Sequence, residues 1–400
     1  MIDARAARAN PDELRRRLAR KGAADAFDAW LAADERWREV VPRVDDLRAR
    51  TKLKGKPTPE QLTELKDVKE QLQAAEQELA AAEQQRDALA LRIPNVPADD
   101  IPDGKTEDDV REVRRVGDPP ALTDPKEHTD IGRCDMDRAA RMSGARFGYW
   151  IGDTAQLALA LYRFALETIA EKGFLTVLPP VLVREEALIG TGAFPSDSVN
   201  VYKVEDDPLY LAGTAEIPLA SLHAGEILGA EELPLRYVAF SPCFRREAGA
   251  AGRDTRGMIR VHQFNKVEQF SFCAPETSWD EHELLLANTE EIVRALGLPY
   301  RIVVLPAGDI STASAKTYDV EIWFPSQDRY REVASVSNTT DFQARRLNVR
   351  ARGESGGPEI VHTLNGTAVV DRMALAILEN FQGDVPDVLR DYGAPETISR

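Results

Sequence analysis

The chain has 400 residues, of which 43% are hydrophobic and 30% are charged, and its formal net charge is −16. This length allows two or three domains, and the apolar content is too high for a disordered chain. The acidic balance excludes a generic nucleic-acid coat protein, so any contact with a nucleic acid requires a local basic patch.

The sequence also argues against a secreted or membrane protein. No run approaches the ~18 apolar residues that a membrane helix needs, and the first 22 residues lack the apolar core of a signal peptide. Three scattered cysteines, Cys134, Cys243 and Cys273, are too few for a disulfide framework or a Cys-only zinc site. We therefore expect a cytoplasmic protein without membrane contact or structural zinc.

The first 93 residues carry a coiled-coil pattern. Apolar residues recur at alternating spacings of three and four in two stretches, which is typical of the seam between packed helices. A run with one glycine and two prolines at 54–59 separates the stretches. The pattern predicts an antiparallel hairpin with helices of about 25 and about 33 residues, in which Pro42 kinks the first helix or marks a late start. The seam residues are Trp30, Ala33, Trp37, Val40, Val44, Leu47, Leu65, Val68, Leu72, Ala75, Leu79, Ala82 and Leu89.

The remaining chain divides into a predicted linker at 94–129 and a predicted catalytic domain at 130–400. The linker is rich in proline and acidic residues. Strands joined by hairpins and interrupted by helices indicate an α+β domain built on a mostly antiparallel β-sheet flanked by helices. Helices are predicted at 152–172, 277–296 and 370–382, and strands at 176–183, 236–244, 262–272, 300–306 and 318–325.

The most informative stretch, Phe244 to Glu268, reads FRREAGAAGRDTRGMIRVHQFNKVE. It predicts two strands joined by a glycine-rich loop that carries Arg253, Arg256 and Arg260. Arginine presents a planar fork suited to carboxylate and phosphate oxygens. A solvated hairpin tip is the alternative for any arginine-rich loop. The Phe-Arg-x-Glu start alone is a weak signal, whereas the whole stretch is a strong one.

Other candidate residues lie outside this stretch. Glu332 and Ser335 offer oxygen ligands suited to Mg²⁺ with nucleotide phosphates, the alternative being an exposed strand face. Thr214 and Glu216 lie two residues apart and are predicted on one face of a strand. Arg372 begins a long apolar helix, which by itself is an unremarkable position.

Together these motifs resemble bacterial seryl-tRNA synthetases, which are class II aminoacyl-tRNA synthetases. The resemblance covers the N-terminal hairpin, GFLTVLPPVLV with GTGAFP (motif 1), the TAE element, the 25-residue stretch (motif 2) and HTLNGTAVVDRMALAILENFQ (motif 3). It implies that serine and ATP form seryl-adenylate and pyrophosphate, and that the seryl group then passes to the 3′ end of serine tRNA. Selenocysteine tRNA stays open as a second acceptor.

The resemblance also implies roles for single residues. Arg245 would bridge the serine carboxylate and the α-phosphate, and Arg372 would contact the γ-phosphate. Glu247 would contact the adenine amino group, and Phe264 would stack on its ring. Glu332 and Ser335 match the Mg²⁺ positions. The implied ATP set is Arg245, Arg246, Glu247, Phe264, Glu332, Val333, Ala334, Ser335 and Arg372, and the implied serine set is Thr214, Ala215, Glu216, Arg245, Glu268 and Thr367.

Five cations with no acid among them lie at the predicted hairpin tip: Arg48, Arg50, Lys52, Lys54 and Lys56. In the family this arm lies against the long variable arm of serine tRNA, and clustered cations fit the backbone of an RNA helix. The alternative is a solvated coiled-coil tip. The resemblance further implies a homodimer, with Pro179 and Pro180 near the interface.

The sequence departs from the family pattern at three places. Asn365 and Arg372 are seven residues apart where eight are usual, and Asp371 puts an acid beside the arginine. Ser311 and Ala313 stand where glycines are expected, and Ala334 replaces a common serine. A diverged paralogue, either inhibitor-resistant or supplying seryl-tRNA to biosynthesis, is one hypothesis. An amino acid:carrier protein ligase and a non-catalytic RNA-binding protein are two others.

Overall fold

The computed structural model describes residues 2–52, 58–248, 257–353 and 357–399. The chain forms two compact units, Met1–Val96 and Pro97–Arg400. Within the described ranges, no helix is both long enough and apolar enough to cross a membrane.

The N-terminal unit contains the predicted helical hairpin. Its helices are α1 (Ala4–Ala9), α2 (Pro11–Ala19), α3 (Ala24–Arg50) and α4 (Pro59–Ala90). Ion pairs join Arg36 to Glu78 and Arg50 to Glu64. Residues that come later in α3 therefore contact residues that come earlier in α4, so the two helices are antiparallel. The predicted seam is confirmed by a buried cluster that includes Val40, Val44, Leu47, Val68 and Ala75.

The two hairpin helices have identifiable local causes. The Thr58 side chain and Gln61 form a capping box that starts α4, and Pro59 occupies its first turn. Helix α3 begins at Ala24 and continues through Pro42, so a late start at this proline is wrong. Proline removes one helical hydrogen bond, and burial of the apolar face of α3 against α4 offsets that loss.

The second unit contains eight α-helices and sixteen strands in its described residues. The helices are α5 (His128–Ile131), α6 (Met136–Ser143), α7 (Asp153–Ala170), α8 (Glu185–Thr191), α9 (Glu216–Ala220), α10 (Ser278–Ala295), α11 (Phe342–Leu347) and α12 (Asp371–Phe381). The strands are β1 (Arg111–Val116), β2 (Cys134–Asp135), β3 (Tyr149–Trp150), β4 (Leu175–Val177), β5 (Leu182–Val183), β6 (Tyr202–Lys203), β7 (Tyr210–Leu211), β8 (Ile227–Leu228), β9 (Leu235–Phe244), β10 (Gln263–Cys273), β11 (Tyr300–Val304), β12 (Lys316–Phe324), β13 (Arg329–Thr340), β14 (Arg350–Arg352), β15 (Pro358–Ile360) and β16 (His362–Val370).

Eight of these strands form the central sheet, in the order β1-β11-β12-β13-β16-β10-β9-β4. Every neighbouring pair is antiparallel except β4 and β9, which are parallel. The α+β fold with a mostly antiparallel sheet is therefore confirmed. One strand falls within 94–129, where the sequence predicts only a linker. Strand β1 pairs by its backbone with β11 at the sheet edge, and its exposed, charged side chains conceal it from pattern analysis.

The two faces of the sheet differ in what covers them. Val267 and Gln269 of β10 are buried, and the Gln269 amide donates to the backbone oxygen of Leu285 in α10. The alternate residues, Lys266 and Glu268, face an open cleft on the other side. Helices α7, α10 and α12 thus supply the main core, and the opposite face carries the cleft.

Two β-bulges set which side chains reach that cleft. Ala334 pairs with Val320 and Glu332 with Glu321, so Val333 is the extra residue. Glu332 and Ser335 are three residues apart and would face opposite sides of a regular strand. The bulge restores them to one side. A second register shift between β10 and β16 places Thr367 opposite Glu268.

Candidate active site

The cleft is a cavity of about 320 Å³ over β10, β13 and β16, closed at one side by the start of α12. It brings together most of the residues that the sequence analysis singles out. Those that line it are Thr214, Glu216, Arg245, Glu247, Phe264, Glu268, Glu332, Val333, Ser335, Thr367 and Arg372.

Three residues of the implied ATP and serine sets do not line the cavity, and Arg253 and Arg256 of the motif 2 loop lie outside the described residues. Ala215 and Ala334 are buried, and the exposed Arg246 donates its backbone N–H to the Asn200 oxygen at 2.8 Å. The prediction that Thr214 and Glu216 share a strand face is wrong, because Glu216 begins helix α9. Both side chains reach the cavity because of a turn, and not because of the alternation of side chains along a strand.

A buried group of charges lies where β10 meets β16. Glu268 is 1% exposed, and its carboxylate contacts the ammonium group of Lys266, itself 7% exposed. The Thr367 hydroxyl lies 3.5 Å from the same carboxylate. Lys266 is not among the residues predicted from the sequence, although its period-two spacing from Phe264 and Glu268 on one strand was a usable signal.

Glu216 adds a second carboxylate to this group. Burial, and then the negative charge of Glu268, raise the pKa of Glu216 to about 6. The Gln343 amide donates to its Oε1 at 2.7 Å. Gln343 comes from α11, far along the chain, and nothing in the local sequence indicates it. Two paired carboxylates, Glu268 buried and Glu216 half-buried, with hydrogen-bond partners suit an ammonium ligand.

A second set of charges lies where β13 meets α12. Arg372 donates from its guanidinium to the Glu332 carboxylate at 2.9 Å and from Nε to the Ile259 oxygen at 3.3 Å. The surrounding protein favours the neutral form of Glu332, but the charge and hydrogen bond of Arg372 outweigh this effect and hold its pKa below the usual value. Glu332 is thus an ionised carboxylate facing the cleft.

Arg245 stands between these two sets. Its guanidinium lies 5.3 Å from the centre of the Phe264 ring, and its Nε donates to the Gly213 oxygen at 3.3 Å. Glu247 adopts a φ of +51° and accepts a 2.6 Å hydrogen bond from Arg260. A left-handed φ is uncommon for glutamate and directs its side chain toward the cavity.

The oxygen donors beside Glu332 determine whether this part of the cleft can hold a metal ion. Asp319 of β12 lies opposite Ser335 in the strand register. Its Oδ1 is buried without a hydrogen-bond partner. Burial, with the neighbouring charge of Glu332, raises the pKa of Asp319 well above its usual value. Within the described residues, no three histidine, cysteine or acidic side chains form a preformed metal centre. The oxygen donors present therefore fit Mg²⁺ only when phosphate oxygens complete the coordination.

Two of the departures from the family pattern, Asp371 and the missing glycines, have structural explanations. Asp371 is 4% exposed and accepts hydrogen bonds from the Tyr162 hydroxyl and the Asn265 backbone N–H, so its carboxylate points away from Arg372. Ser311 and Ala313 are not among the residues with positive φ. The loop therefore does not need glycine there, and the Ser311 hydroxyl bonds that of Ser314 at 2.7 Å.

The cations at the hairpin tip are partly paired. Arg48 contacts Glu76 at 3.0 Å and Arg50 contacts Glu64 at 3.8 Å, while Lys52 is exposed. Glu76 and Glu64 come from the facing helix, so a count of charged residues over 48–56 does not include them. Lys54 and Lys56 lie outside the described residues.

Comparisons with known proteins agree with this geometry. A model of the seryl-tRNA synthetase N-terminal domain matches residues 1–97, and a model of the tRNA synthetase class II core domain (G, H, P, S and T) matches residues 202–381. The serine–tRNA ligase of Mycolicibacterium vanbaalenii is 44% identical, with 100% of this chain and 99% of the relative covered.

Two solved structures are similar over nearly the whole chain. Seryl-tRNA synthetase from Pyrococcus horikoshii, complexed with ATP, gives a TM-score of 0.94 at 39% identity and covers 100% of this chain and 99% of the other. Cytoplasmic serine–tRNA ligase from Naegleria fowleri, in complex with AMP, gives 0.88 at 31% identity and covers 98% and 96%.

Proposed function

Since this chain belongs to the seryl-tRNA synthetase family and is a serine–tRNA ligase, we propose that its cleft forms seryl-adenylate from serine and ATP. One observation carries the assignment of the site: a single cavity holds arginines suited to phosphates and buried carboxylates suited to an ammonium group. Phe264 and Glu268 are four residues apart on β10, roughly 13 Å along the strand. That length suits a nucleotide joined to a small amino acid.

Glu216, Glu268 and Thr367 form the serine end of this site. The two carboxylates attract the ammonium group, and a substrate hydroxyl pairs with Glu268 and Thr367. Alanine would leave these buried polar groups unpaired, which costs binding free energy. Threonine is rejected only by the lack of room for a methyl group, which is a weaker filter.

The phosphate end depends on Arg245 and Arg372. A serine carboxylate oxygen attacks the α-phosphorus, the α–β phosphoanhydride bond breaks, and pyrophosphate leaves with the bonding electron pair. Arg245 holds the attacking carboxylate and the α-phosphate in line, and Arg372 neutralises the γ-phosphate. No protein nucleophile is required, so positioning and charge neutralisation supply the rate.

Mg²⁺ fits beside Glu332 and Ser335, where the unpartnered Asp319 oxygen also lies. When bound, the ion offsets negative charge on the phosphates. Glu332 orients Arg372 through their 2.9 Å contact, so the carboxylate serves the phosphate end with or without direct coordination.

The adenine end is assigned to Phe264 and Glu247. The Phe264 ring offers a stacking face, and the Glu247 carboxylate accepts from the adenine amino group. Arg260 contacts Glu247 at 2.6 Å and fixes its orientation. Val333 and Ser335 complete the wall of the cavity.

Transfer of the seryl group requires serine tRNA. We assign tRNA binding to the helical arm, predicted over 1–93, through Arg48, Arg50 and Lys52, with Lys54 and Lys56 in the undescribed tip. The Glu76 and Glu64 contacts neutralise part of this charge. Exchange of these carboxylates for RNA phosphates would therefore accompany binding.

A homodimer in the cytoplasm completes the proposal. Leu159, Leu175, Leu178 and Leu182 are 45–78% exposed. They include both flanks of the Pro179-Pro180 pair that motif 1 places near an interface, and large exposed apolar groups of this kind mark association surfaces. Sedimentation of the full chain tests the stoichiometry.

Serine-dependent exchange of pyrophosphate into ATP tests the activation step, and charging of serine tRNA tests the transfer. Exchange with serine is the expected result. Exchange with glycine or alanine alone would indicate a carrier-protein ligase. The absence of exchange with any amino acid would indicate a non-catalytic RNA-binding protein.

A further inference from the structure

His128 occupies a buried position behind the cleft and bonds with both ring nitrogens. Its Nδ1 lies 2.7 Å from Glu379 Oε1, and its Nε2 lies 3.1 Å from the backbone nitrogen of Met258. A backbone N–H can only donate, so Nε2 accepts. The proton is therefore assigned to Nδ1, which donates to Glu379. The side chains are 3% and 0% exposed, so water does not substitute for these bonds.

The Glu379 carboxylate is fixed from both sides. Its Oε2 accepts from the Ser326 hydroxyl at 2.6 Å and from the Ser326 backbone at 3.3 Å. Its Oε1 also accepts from the His128 backbone N–H at 3.3 Å. The carboxylate therefore holds the imidazole ring in one orientation, in the way that a buried acid orients a histidine.

This pair connects the cleft wall to helix α12. Glu379 follows Arg372 by seven residues, which places the two side chains on the same face of the helix, two turns apart. Arg372 bonds the oxygen of Ile259, and His128 bonds the N–H of the preceding residue, Met258. The wall segment is thus attached to α12 at two points, one of them through His128.

The approach of the wall to the ring leaves no room for a side chain at Gly257. A Cβ built there would lie 2.3 Å from His128 Nε2, and the glycine has a φ of +65°. The residues that follow it, Met258, Ile259 and Arg260, line the cavity. A shift of this segment relative to Arg372 would therefore change the shape of the nucleotide end.

We propose that His128 is a positioning residue for ATP: it fixes the 257–260 wall against the helix that carries Arg372. The proposal rests on the function assigned above. His128 touches neither substrate, and it acts through Met258. Loss of the Nε2 acceptor leaves a buried N–H unpaired and loosens the wall on which ATP must align.

Two substitutions distinguish the roles of the two ring nitrogens of His128. His128→Asn keeps a donor near Nδ1 for Glu379 but removes the Nε2 acceptor, whereas His128→Gln restores an acceptor near Nε2. His223 offers a matched control. It bonds Glu226 through Nδ1 and the Tyr237 hydroxyl through Nε2, both at 2.7 Å, but neither of these partners lines the cavity, whereas Met258 does.

Serine-dependent exchange gives the KM for ATP and for serine in each variant. We expect His128→Asn to raise the ATP KM by about 5- to 10-fold with the serine KM within about twofold, and His128→Gln to recover most of the loss. His223→Asn is expected to change neither KM.

An unchanged ATP KM in folded His128→Asn, or an equal rise in both KM values, would overturn the proposal. If thermal unfolding shows that this variant does not fold, amide hydrogen exchange at Met258 in the unmodified chain decides, and unprotected exchange there contradicts the proposal. Failure of the unmodified chain to exchange with serine would instead count against the proposed function.

Discussion

The Tyr162 hydroxyl donates a hydrogen bond to the carboxylate of Asp371, the residue immediately before Arg372. The Asn265 N–H donates to the same oxygen at 3.0 Å. These bonds turn the acid into the core, so it does not oppose the phosphates that Arg372 is proposed to bind. The bonds also tie the first residue of α12 to α7 and β10, which positions Arg372 at the cleft.

Asp371→Asn should stabilise the protein at neutral and alkaline pH. Burial raises the pKa of Asp371 to about 6, above the value of about 4 for an unfolded aspartate. The folded state therefore binds this proton more tightly, and that contribution to stability is lost as pH rises through about 6. Asparagine does not ionise, so the variant does not lose this contribution to stability as the pH rises. We expect urea unfolding at pH 8 to show a gain on the order of 2 kcal/mol, which shrinks toward pH 4.

Asp387→Asn is the matched control, because the Asp387 side chain is 89% exposed. Its stability should follow that of the unmodified chain at both pH values. An Asp371→Asn gain that is the same at pH 4 and pH 8 would contradict a buried, raised-pKa carboxyl.

Arg245→Ala should abolish adenylate formation. The guanidinium is proposed to align the attacking carboxylate with the α-phosphate, so its loss removes stabilisation made in the transition state. We expect serine-dependent exchange to fall by roughly 10³-fold, equivalent to about 4 kcal/mol. Arg390, an exposed arginine in the C-terminal segment, provides a control whose replacement by alanine should leave exchange unchanged. A comparable loss in both variants would remove Arg245 from this role.

The affinity for serine should weaken in acid because Glu216 protonates. With the pKa of Glu216 raised to about 6, the carboxylate loses its charge as pH falls through that value and no longer attracts the ammonium group. We expect kcat/KM for serine to fall below pH 6 by up to about tenfold per unit. Glu216→Gln should have a lower value at pH 8 and a flatter profile. An identical acid limb in this variant would assign the titration to another group.

Asp319→Asn should weaken the binding of the divalent cation. The unpartnered Asp319 oxygen lies beside Glu332 and Ser335. The raised pKa of Asp319 favours the neutral acid in the free protein, but a bound cation would favour the carboxylate, which asparagine cannot form. We expect the Mg²⁺ concentration for half-maximal exchange to rise by about tenfold. Electron paramagnetic resonance of Mn²⁺ with a non-hydrolysable ATP analogue measures binding without turnover. Unchanged Mn²⁺ affinity would place Asp319 outside the metal site.

Removal of residues 27–92 should separate the two reaction steps. The cleft lies wholly within the second compact unit, so exchange with serine is expected to continue. Charging of serine tRNA is expected to fall by at least about 10²-fold, because the arm is proposed to supply the contacts to the RNA phosphates. Near-normal charging by the truncated chain would show that the arm is not the tRNA-binding element.

The spacing of apolar residues that lie close together in the sequence predicted most of the fold. The heptad seam gives the hairpin because apolar burial along one helix face follows directly from spacing. Strands β9, β10, β11 and β12 follow from their own apolar runs, whereas β13 and β16 were not predicted as strands. Strand β1 could not be predicted in the same way. Its side chains are charged and exposed, and only backbone pairing to β11 makes it a strand.

The candidate site likewise contains residues that one sequence motif groups together and residues that only the fold brings near them. Motif 2 contains Arg245, Glu247, Phe264 and Glu268 within one strand–loop–strand segment, so the sequence alone collects them. Gln343 and Asp319 come from other elements and act on cavity residues: Gln343 bonds Glu216, and Asp319 lies opposite Ser335, so their roles depend on register and packing between distant segments.

The sequence by itself determined which chemical groups this protein brings to its reaction: arginines, carboxylates and hydroxyls in ordered motifs, together with a helical arm. Only the tertiary structure decided which of them meet and in what ionisation state. Long-range packing put Gln343 against Glu216, turned Asp371 toward Tyr162 and bound His128 to Glu379. The physical reason is that burial and the charge of spatial neighbours set pKa values and hydrogen-bond partners, and neither is a property of a residue's place along the chain.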